Sequence, residues 1–514
     1  MLVLIIYLLL FIGLIFIQKN RQFQSLFKVS KKVSWLISGF SLFMLQLSLD
    51  QGQFLSGIIA QYGMKGLWLV WCGIIGSFVI PLVFAPLWQK MNFITDNQFL
   101  LFRFPGRSGR MLHLFRAVYV GGLVVSLSLC FHLLGFSRVL QTYFGFSDNL
   151  AICYSGVILC LYSLKNAFGL KFKIDALNAV IYLSCLILIF ISVWQVSDGW
   201  DSMNAYFDKY PEKKSLLPAD NDQAGWFILF VFIGIQWWSC NLFDGGGPEM
   251  ARFTSVKNKK HAVSSGLLAV VFSVILSFFI IAHILFILGI SDASTNQELS
   301  YVQSVFNVVP VAFKSFLLLG FFVMFISVSE SVLIWGTSFL TIDAYKEYLN
   351  PTASEKKIRF ISYFSMVFLT SLAVVFAVQI DNMQSLIKLS FSIAAGVAPV
   401  YILRWIWFRI NAWSQLSAMF SSGFFTLLYP MFHDLLPFKE FPMEESRILV
   451  VTLLTTAVWL LVTFLTPNHS DTVYLKMMPI IESRKRFVKR FVLALLFGAL
   501  LTGGVSIIWW KILL

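Results

Sequence analysis

The sequence predicts an all-α integral membrane protein with about fourteen transmembrane helices. Of its 514 residues, 58% are hydrophobic and only 12% are charged, and the mean hydropathy is +0.80. A soluble protein of this size carries about a quarter charged residues, so a single large soluble domain is excluded. The apolar residues also fall into repeated runs, each long enough to cross the hydrocarbon core of a bilayer.

Each predicted span is an apolar run close to the ~20 residues that a helix needs to cross the membrane. The first run is interpreted as a helix and not as a cleaved signal, because no basic segment precedes it and Lys19 and Arg21 follow it. The predicted spans are residues 2–18, 34–58, 66–88, 115–137, 149–164, 174–195, 225–243, 262–289, 310–340, 358–378, 385–407, 414–431, 447–466 and 490–510.

The basic residues predict the orientation of these spans. The net charge is +14, and about 29 of the 39 Lys and Arg fall in alternate loops. By the positive-inside rule those loops are cytoplasmic, so both termini are predicted outside, in a plasma membrane of the bacterial inner-membrane type. The charge is thus explained by membrane topology and lipid contact, and no nucleic-acid partner is expected. The basic stretches are residues 19–33, 89–116, 165–173, 244–262, 341–360, 404–412 and 467–490.

The second span contains the polar run SLDQGQ at residues 48–53. An ionised Asp at the bilayer centre costs roughly 2.5–3.5 kcal/mol on insertion scales. Asp50 is therefore expected to have a functional role or a polar partner. A helix broken at this depth exposes backbone groups, which is tolerated where they line a cavity. We therefore predict an interrupted helix with Asp50, Gln51 and Gln53 facing a solute site; the alternative is an Asp tied to a neighbouring helix for packing.

The seventh span shows a comparable disturbance. Its apolar run passes Trp237, reaches Asn241 and ends at DGGGP, residues 244–248. Interrupted helices in the second and seventh spans, five apart, indicate two inverted five-helix repeats around a site at the membrane midplane. A simple helix stop and turn is the alternative interpretation of DGGGP.

Two further acids lie in predicted spans. Asp175 stands at the start of the sixth span, where an interfacial residue facing Lys173 is the alternative, and Glu330 lies within the ninth span among Ser327, Ser329 and Ser331. Hydroxyl oxygens beside a carboxylate are hard ligands suited to Na⁺. Two neighbouring carboxylates also favour protonation of one of them, so proton coupling is a variant.

Four segments resemble motifs of the sodium/solute symporter family, which includes sodium–glucose and sodium–proline cotransporters. Residues 339–351 (FLTIDAYKEYLNP) are similar to its T-x-D-x-Y-K-x-Y-x-x-P segment. Residues 247–258 (GPEMARFTSVKN) resemble the QR-x-L-x-A-K stretch after its seventh helix, and TDNQF at 95–99 with RF at 103–104 resembles its T-x-x-E-F…R-F loop. LQLSLDQ at 45–51 parallels its first core helix.

The resemblance implies a leucine-transporter-type fold with a 5+5 inverted repeat. It implies an extra N-terminal helix and cytoplasmic loop in residues 1–33, and a transporter core in 34–412 whose repeats cover about 34–195 and 225–412. Three extra C-terminal helices would occupy 413–514. This arrangement accounts for fourteen helices.

The resemblance also implies cation sites, and no cofactor other than a coupling ion, Na⁺ or H⁺. The family's main sodium site would use backbone oxygens of Met44, Leu47 and Met324 and the hydroxyl of Ser327, but Val328 stands where a Ser or Thr is usual. A further cation site of some members maps to four oxygen-bearing side chains, namely Asp175, Ser327, Glu330 and Ser331.

These observations predict a secondary symporter that couples uptake of a small polar solute to a cation gradient, and no enzymatic activity. The solute site is predicted to comprise Asp50, Gln51, Gln53, Asn241 and Trp237. A solute sensor that kept the fold without transport is the alternative, and Val328 is the feature that favours it.

Overall fold

The computed structural model describes residues 27, 33–47, 50–91, 93–165, 168–239, 244–290, 297–380, 383–435, 437, 439–468 and 470–514, and within them it is helical. In chain order the helices are α1 (Trp35–Gln46), α2 (Asp50–Tyr62), α3 (Met64–Lys90), α4 (Gln98–Arg103), α5 (Gly106–Phe144), α6 (Asp148–Lys165), α7 (Phe168–Ser197), α8 (Trp200–Lys209), α9 (Gln223–Ser239), α10 (Pro248–Ser255), α11 (Lys259–Ile290), α12 (Gln297–Val308), α13 (Val311–Leu349), α14 (Glu355–Gln379), α15 (Met383–Leu403), α16 (Ala412–Phe432), α17 (Met443–Leu465), α18 (Ser470–Ile481) and α19 (Arg484–Leu513).

A helix occupies each predicted span from the second to the fourteenth, and the first, residues 2–18, lies outside the described residues. Among the described residues, nine helices are long and apolar enough to cross a membrane, and the chain is a multi-pass membrane protein. The count of fourteen spans stays a prediction. Residues 196–224, the longest stretch between two consecutive predicted spans, hold the short helix α8, which is amphipathic and carries Asp201 and Lys209.

The chain divides into two compact units, and the first comprises residues 1–62, 116–213 and 251–381. Its most deeply buried helix is α13, in which every residue of the most apolar stretch is buried. Helix α13 packs on α5, α7 and α14. A Cβ on Gly336 would lie 2.8 Å from the carbonyl oxygen of Gly121, so two glycines allow α13 to approach α5 closely. Small residues are the usual means of helix packing in lipid, where apolar burial drives little association.

The second unit comprises residues 63–115, 214–250 and 382–514. Helix α17 packs on α15 and α16, and α19 packs on α3. Only 17% of the most apolar stretch of α19 is buried, and its exposed side chains include Leu493, Phe497 and Leu500. An apolar surface of this kind suits contact with lipid.

The interruption predicted in the second span is present. Helix α1 begins after Ser34, whose hydroxyl accepts a hydrogen bond from the Ile37 amide, and ends at Gln46. Leu47 is extended, with φ −88° and ψ 117°, and a new helix begins at Asp50. Ser48 and Leu49, and the side chains of Asp50 and Gln51, lie outside the described structure.

The DGGGP segment after α9 forms a turn anchored within the second unit. Gly245 and Gly247 have φ of 69° and 63°, a backbone conformation that L side chains rarely adopt. The Asp244 carboxylate accepts hydrogen bonds from Arg404 Nη2 (2.6 Å) and Trp405 Nε1 (2.8 Å). This geometry is that of a helix stop and turn, the alternative interpretation of DGGGP, and the inverted repeat stays a prediction.

Candidate functional site

One face of α7 carries three polar side chains in the first unit. Lys171, Asp175 and Asn178 are spaced at i, i+4 and i+7, so they line up along the same side of the helix. Each is at most 1% exposed. A polar stripe buried this completely must find its partners on neighbouring helices.

Helix α13 supplies those partners. Ser327, Glu330 and Ser331, at i, i+3 and i+4, share one face and are at most 2% exposed. Asn178 Nδ2 donates a 2.8 Å hydrogen bond to Ser327 Oγ. The serines follow the apolar run of a helix that is buried all round, so their hydroxyls meet protein and not lipid.

The centre of the site is a network of ion pairs. Lys171 Nζ lies 3.1 Å from Asp175 Oδ1 and 3.0 Å from Glu330 Oε2. Arg252 Nη2, from α10, lies 3.4 Å from Asp175 Oδ2. All four side chains are about 1% exposed. Removing one member of such a buried network leaves an uncompensated charge, which is strongly destabilising.

Hydrogen bonds complete the network. Ser41 Oγ, on α1, donates to Asp175 Oδ2 at 2.5 Å and accepts from Arg252 Nε at 3.1 Å. Ser331 Oγ accepts from Arg252 Nη2 at 2.8 Å and donates to the Ser327 carbonyl at 2.6 Å. That same carbonyl accepts from Lys171 Nζ at 3.0 Å. Oxygen atoms from α1, α7 and α13 therefore converge on the two cations.

The structure brings together all four side chains predicted for a cation site. Asp175 pairs with Lys171 and Arg252, whereas Lys173, the interfacial partner considered from the sequence, is exposed. Sequence reasoning missed Lys171 and Arg252 because it counted both as basic loop residues. The signal for Lys171 was its i, i+4 spacing to Asp175. Met44, Leu47 and Met324 are buried, and their role as backbone ligands stays a prediction.

The predicted solute residues are less fully described. Gln53 is buried on α2, where Nε2 donates to the Gly135 carbonyl (3.0 Å) and Oε1 accepts from Arg138 Nη1 (3.1 Å). Both ends of its amide are thus used within the first unit, and Arg138 is a third basic residue that sequence reasoning missed. Trp237 of the second unit is half-buried and meets Trp238 edge to face at 5.3 Å. Asn241 lies outside the described residues.

Carboxylate, hydroxyl and carbonyl oxygens are the ligand set that suits a hard cation. The cluster supplies all three kinds from α7 and α13, and it already holds one ammonium and one guanidinium. The described side chains of the cluster include no His or Cys that would act as a nucleophile or transition-metal ligand.

Comparison with known proteins gives a family and a fold. A Na⁺-coupled sialic acid symporter, solved with substrate in an outward-open state, is 13% identical with a TM-score of 0.69 over 89% of this chain and 96% of that one. A nucleobase-cation-symport-1 family transporter, closed with bromovinylhydantoin bound, is 11% identical with a TM-score of 0.53 over 89% of this chain and 99% of that one. At such identities the likeness shows the fold alone. No curated protein sequence matches the chain. The model of the sodium:solute symporter family matches residues 27–421, and the chain therefore belongs to the sodium:solute symporter family.

Proposed function

We propose that this protein is a secondary symporter that takes up a small polar solute by alternating access, driven by a cation gradient. We assign Na⁺ as the coupling ion, and coupling to H⁺ is the alternative. The observation that carries the proposal is the buried cluster of Asp175, Glu330, Ser327 and Ser331 in a member of a symporter family. Stability alone does not require two buried carboxylates, because well-packed apolar side chains of similar volume stabilise a protein interior as well or better.

In this proposal the cation lies among the oxygens of α7 and α13. Asp175, Glu330, Ser327 and Ser331 contribute side chains to one cation site. The backbone oxygens of Met44, Leu47 and Met324, with the Ser327 hydroxyl, are assigned to the main sodium site that the family resemblance implies. Cation binding must favour the conformation that takes up solute, because coupling requires a difference in affinity between two states. The transporter core is residues 34–412 with its two inverted repeats, and the three C-terminal helices lie outside it.

Solute recognition is assigned to Asp50, Gln51 and Gln53, with Asn241 and Trp237. The interrupted backbone at Leu47 supports this assignment, because a helix end inside a membrane protein leaves polar backbone groups for a ligand. Asp50→Asn is expected to weaken solute binding more than cation binding. The reverse result would move Asp50 into the cation site.

Both termini are assigned to the outside of a bacterial inner membrane. The cluster of basic residues at the start of α19, from Arg484 to Arg490, supports this orientation because such clusters stay on the cytoplasmic side. An alkaline phosphatase fusion at the C-terminus should be active and a green fluorescent protein fusion dark. A fluorescent fusion with inactive phosphatase would contradict the orientation.

Uptake into proteoliposomes tests the function. Solutes are first screened by thermal shift of the purified protein with Na⁺ and with choline at two pH values, since a bound ligand stabilises the folded state. Those that bind are then offered, radiolabelled, under an inward Na⁺ gradient, an inward H⁺ gradient or neither. Accumulation under one gradient supports symport. Binding without accumulation under any gradient would favour the sensor that Val328 suggests.

A further inference from the structure

We propose that the ammonium of Lys171 is a tethered cation that competes with Na⁺ for the oxygens of Asp175, Ser327 and Glu330. The inference deepens the proposed function, on which it rests for the position of the coupling cation. In the described conformation the protein's own side chain occupies that position. Na⁺ can bind there only when the ammonium leaves.

The geometry of Lys171 is that of a bound cation. Its Nζ has three oxygen neighbours at 3.0–3.1 Å, namely Asp175 Oδ1, the Ser327 carbonyl and Glu330 Oε2. An ammonium has three donors and no acceptor, so all three hydrogens are directed at these oxygens. Two carboxylates and a backbone carbonyl are also the hard oxygen ligands that Na⁺ requires. The ammonium and the ion therefore need the same atoms.

The charge balance of the buried network disfavours simultaneous binding of the Lys171 ammonium and Na⁺. The four ionised side chains Lys171, Arg252, Asp175 and Glu330 sum to zero and are about 1% exposed. Adding Na⁺ beside them would leave one uncompensated positive charge in a buried site, which is costly. Removing the ammonium leaves one uncompensated negative charge, which a cation relieves. One positive charge, and not two, is therefore expected at these oxygens.

Of the two cations in the network, Lys171 is the one that can leave. Arg252 is held at several points, since Nε donates to Ser41 and Nη2 donates to Ser331 and approaches Asp175. A guanidinium is a rigid planar fork, whereas a lysine ammonium is carried on a flexible four-carbon stem. Rotation of that stem moves the charge without moving α7.

The test measures Na⁺ binding directly, without solute. The melting temperature of the purified full-length protein is followed as NaCl replaces choline chloride at constant ionic strength, so that general charge screening stays the same throughout the titration. Lys171→Met should reach half of its stabilisation at a Na⁺ concentration about tenfold or more below that of the unaltered protein. The matched control is Lys173→Met, because Lys173 is exposed two residues away and should leave the titration unchanged.

A charge-balanced variant separates competition from loss of folding. Lys171→Met with Glu330→Gln removes one positive and one negative charge, so it should fold without Na⁺ and show no gain in Na⁺ affinity. Equal Na⁺ titrations for Lys171→Met and the unaltered protein would overturn the proposal and leave Lys171 a structural ion-pair partner. So would an equal gain in the double variant, or a Lys171→Met protein that stays unfolded at every NaCl concentration.

Transport is measured in parallel with the same proteins. Absence of solute accumulation under every ion gradient would contradict the proposed function. The Na⁺ titration is a binding measurement and would still decide the role of Lys171. The two failures are therefore distinguishable.

Discussion

Arg252 Nη2 donates a 2.8 Å hydrogen bond to Ser331 Oγ and so joins the short helix α10 to the buried helix α13. The same guanidinium reaches Asp175 on α7 and Ser41 on α1. A single side chain thus connects three helices of the first unit at a place with almost no solvent. The fork of the guanidinium makes this possible, and an ammonium cannot reproduce it.

We therefore expect Arg252→Met to lower the free energy of unfolding by about 3–5 kcal/mol, the usual cost of breaking a buried ion pair. Arg252→Lys should recover only part of that loss, because it keeps the charge and loses the fork. Denaturant titration in detergent measures both. Lys257→Met, at an exposed position just after α10, should change little. Full stability in Arg252→Lys would mean that charge alone matters here.

The helices and the acidic residues of the site could be predicted from short windows of sequence. Long apolar runs predicted α5, α11 and α13, and the polar run after Leu47 predicted the interrupted second span. Glu330 stood out because an acid within an apolar helix is costly unless it is paired. Each of these arguments needs only a short window of sequence.

The partners of the acids could not be predicted in this way. Helix α7 begins at Phe168, six residues before the predicted start of the span, and this places Lys171 inside the helix and not in a loop. Glu330 and Lys171 are 159 residues apart in sequence, and Asp244 and Arg404 are 160 apart. Pairs at such separations are decided by the packing of helices, about which a single sequence carries no direct signal.

Glu330→Gln is expected to abolish cation-dependent uptake while the protein remains folded. The variant removes a carboxylate from the cation site, yet Lys171 keeps Asp175 and the Ser327 carbonyl as partners. Uptake under a Na⁺ gradient should fall to the level measured without a gradient, which requires a loss of at least about tenfold, equivalent to ~1.4 kcal/mol. Glu347→Gln, an exposed acid on the same helix, is the control. Unchanged cation dependence in Glu330→Gln would contradict the assignment of the ion site.

Asp222 should make a pH-dependent contribution to stability. Its carboxylate accepts a hydrogen bond from the Gly225 amide at the start of α9, and this bond, with the nearby Lys65 ammonium, holds the pKa of Asp222 below its usual value. The unfolded chain then binds the proton at higher pH than the folded one. The stabilisation is therefore complete above the ordinary Asp pKa of about 3.9 and is lost as the pH falls through the folded pKa.

Two variants separate the contribution of helix capping by Asp222 from the contribution of its negative charge. Asp222→Ala should cost about 1 kcal/mol at neutral pH, because it removes the helix cap. Asp222→Asn keeps a capping oxygen, so its smaller deficit should shrink on acidification. Melting temperatures at neutral and acidic pH measure the deficits, with Asp220→Asn, an exposed neighbour, as control. A deficit of Asp222→Asn that grows on acidification would contradict the direction of the pKa shift.

Val328→Thr should strengthen Na⁺ binding, because it restores a hydroxyl where the family usually has one. Val328 is buried on α13 next to Ser327, so the added oxygen faces protein and not lipid. The Na⁺ concentration for half-maximal stabilisation should fall about threefold or more, equivalent to ~0.6 kcal/mol. Thr also buries a polar group, a cost that its bond to the carbonyl one turn earlier reduces.

Val332→Thr is the matched control for that cost, since Val332 is buried one turn further along the same helix and is not a predicted ligand. If both variants lose stability equally and neither changes the Na⁺ titration, the hydroxyl is not a ligand in this protein. A gain in Val328→Thr alone would place Na⁺ at the same turn of α13 as the Ser327 carbonyl that Lys171 contacts. The missing hydroxyl would then weaken Na⁺ against the ammonium, since both compete for the oxygens of that turn.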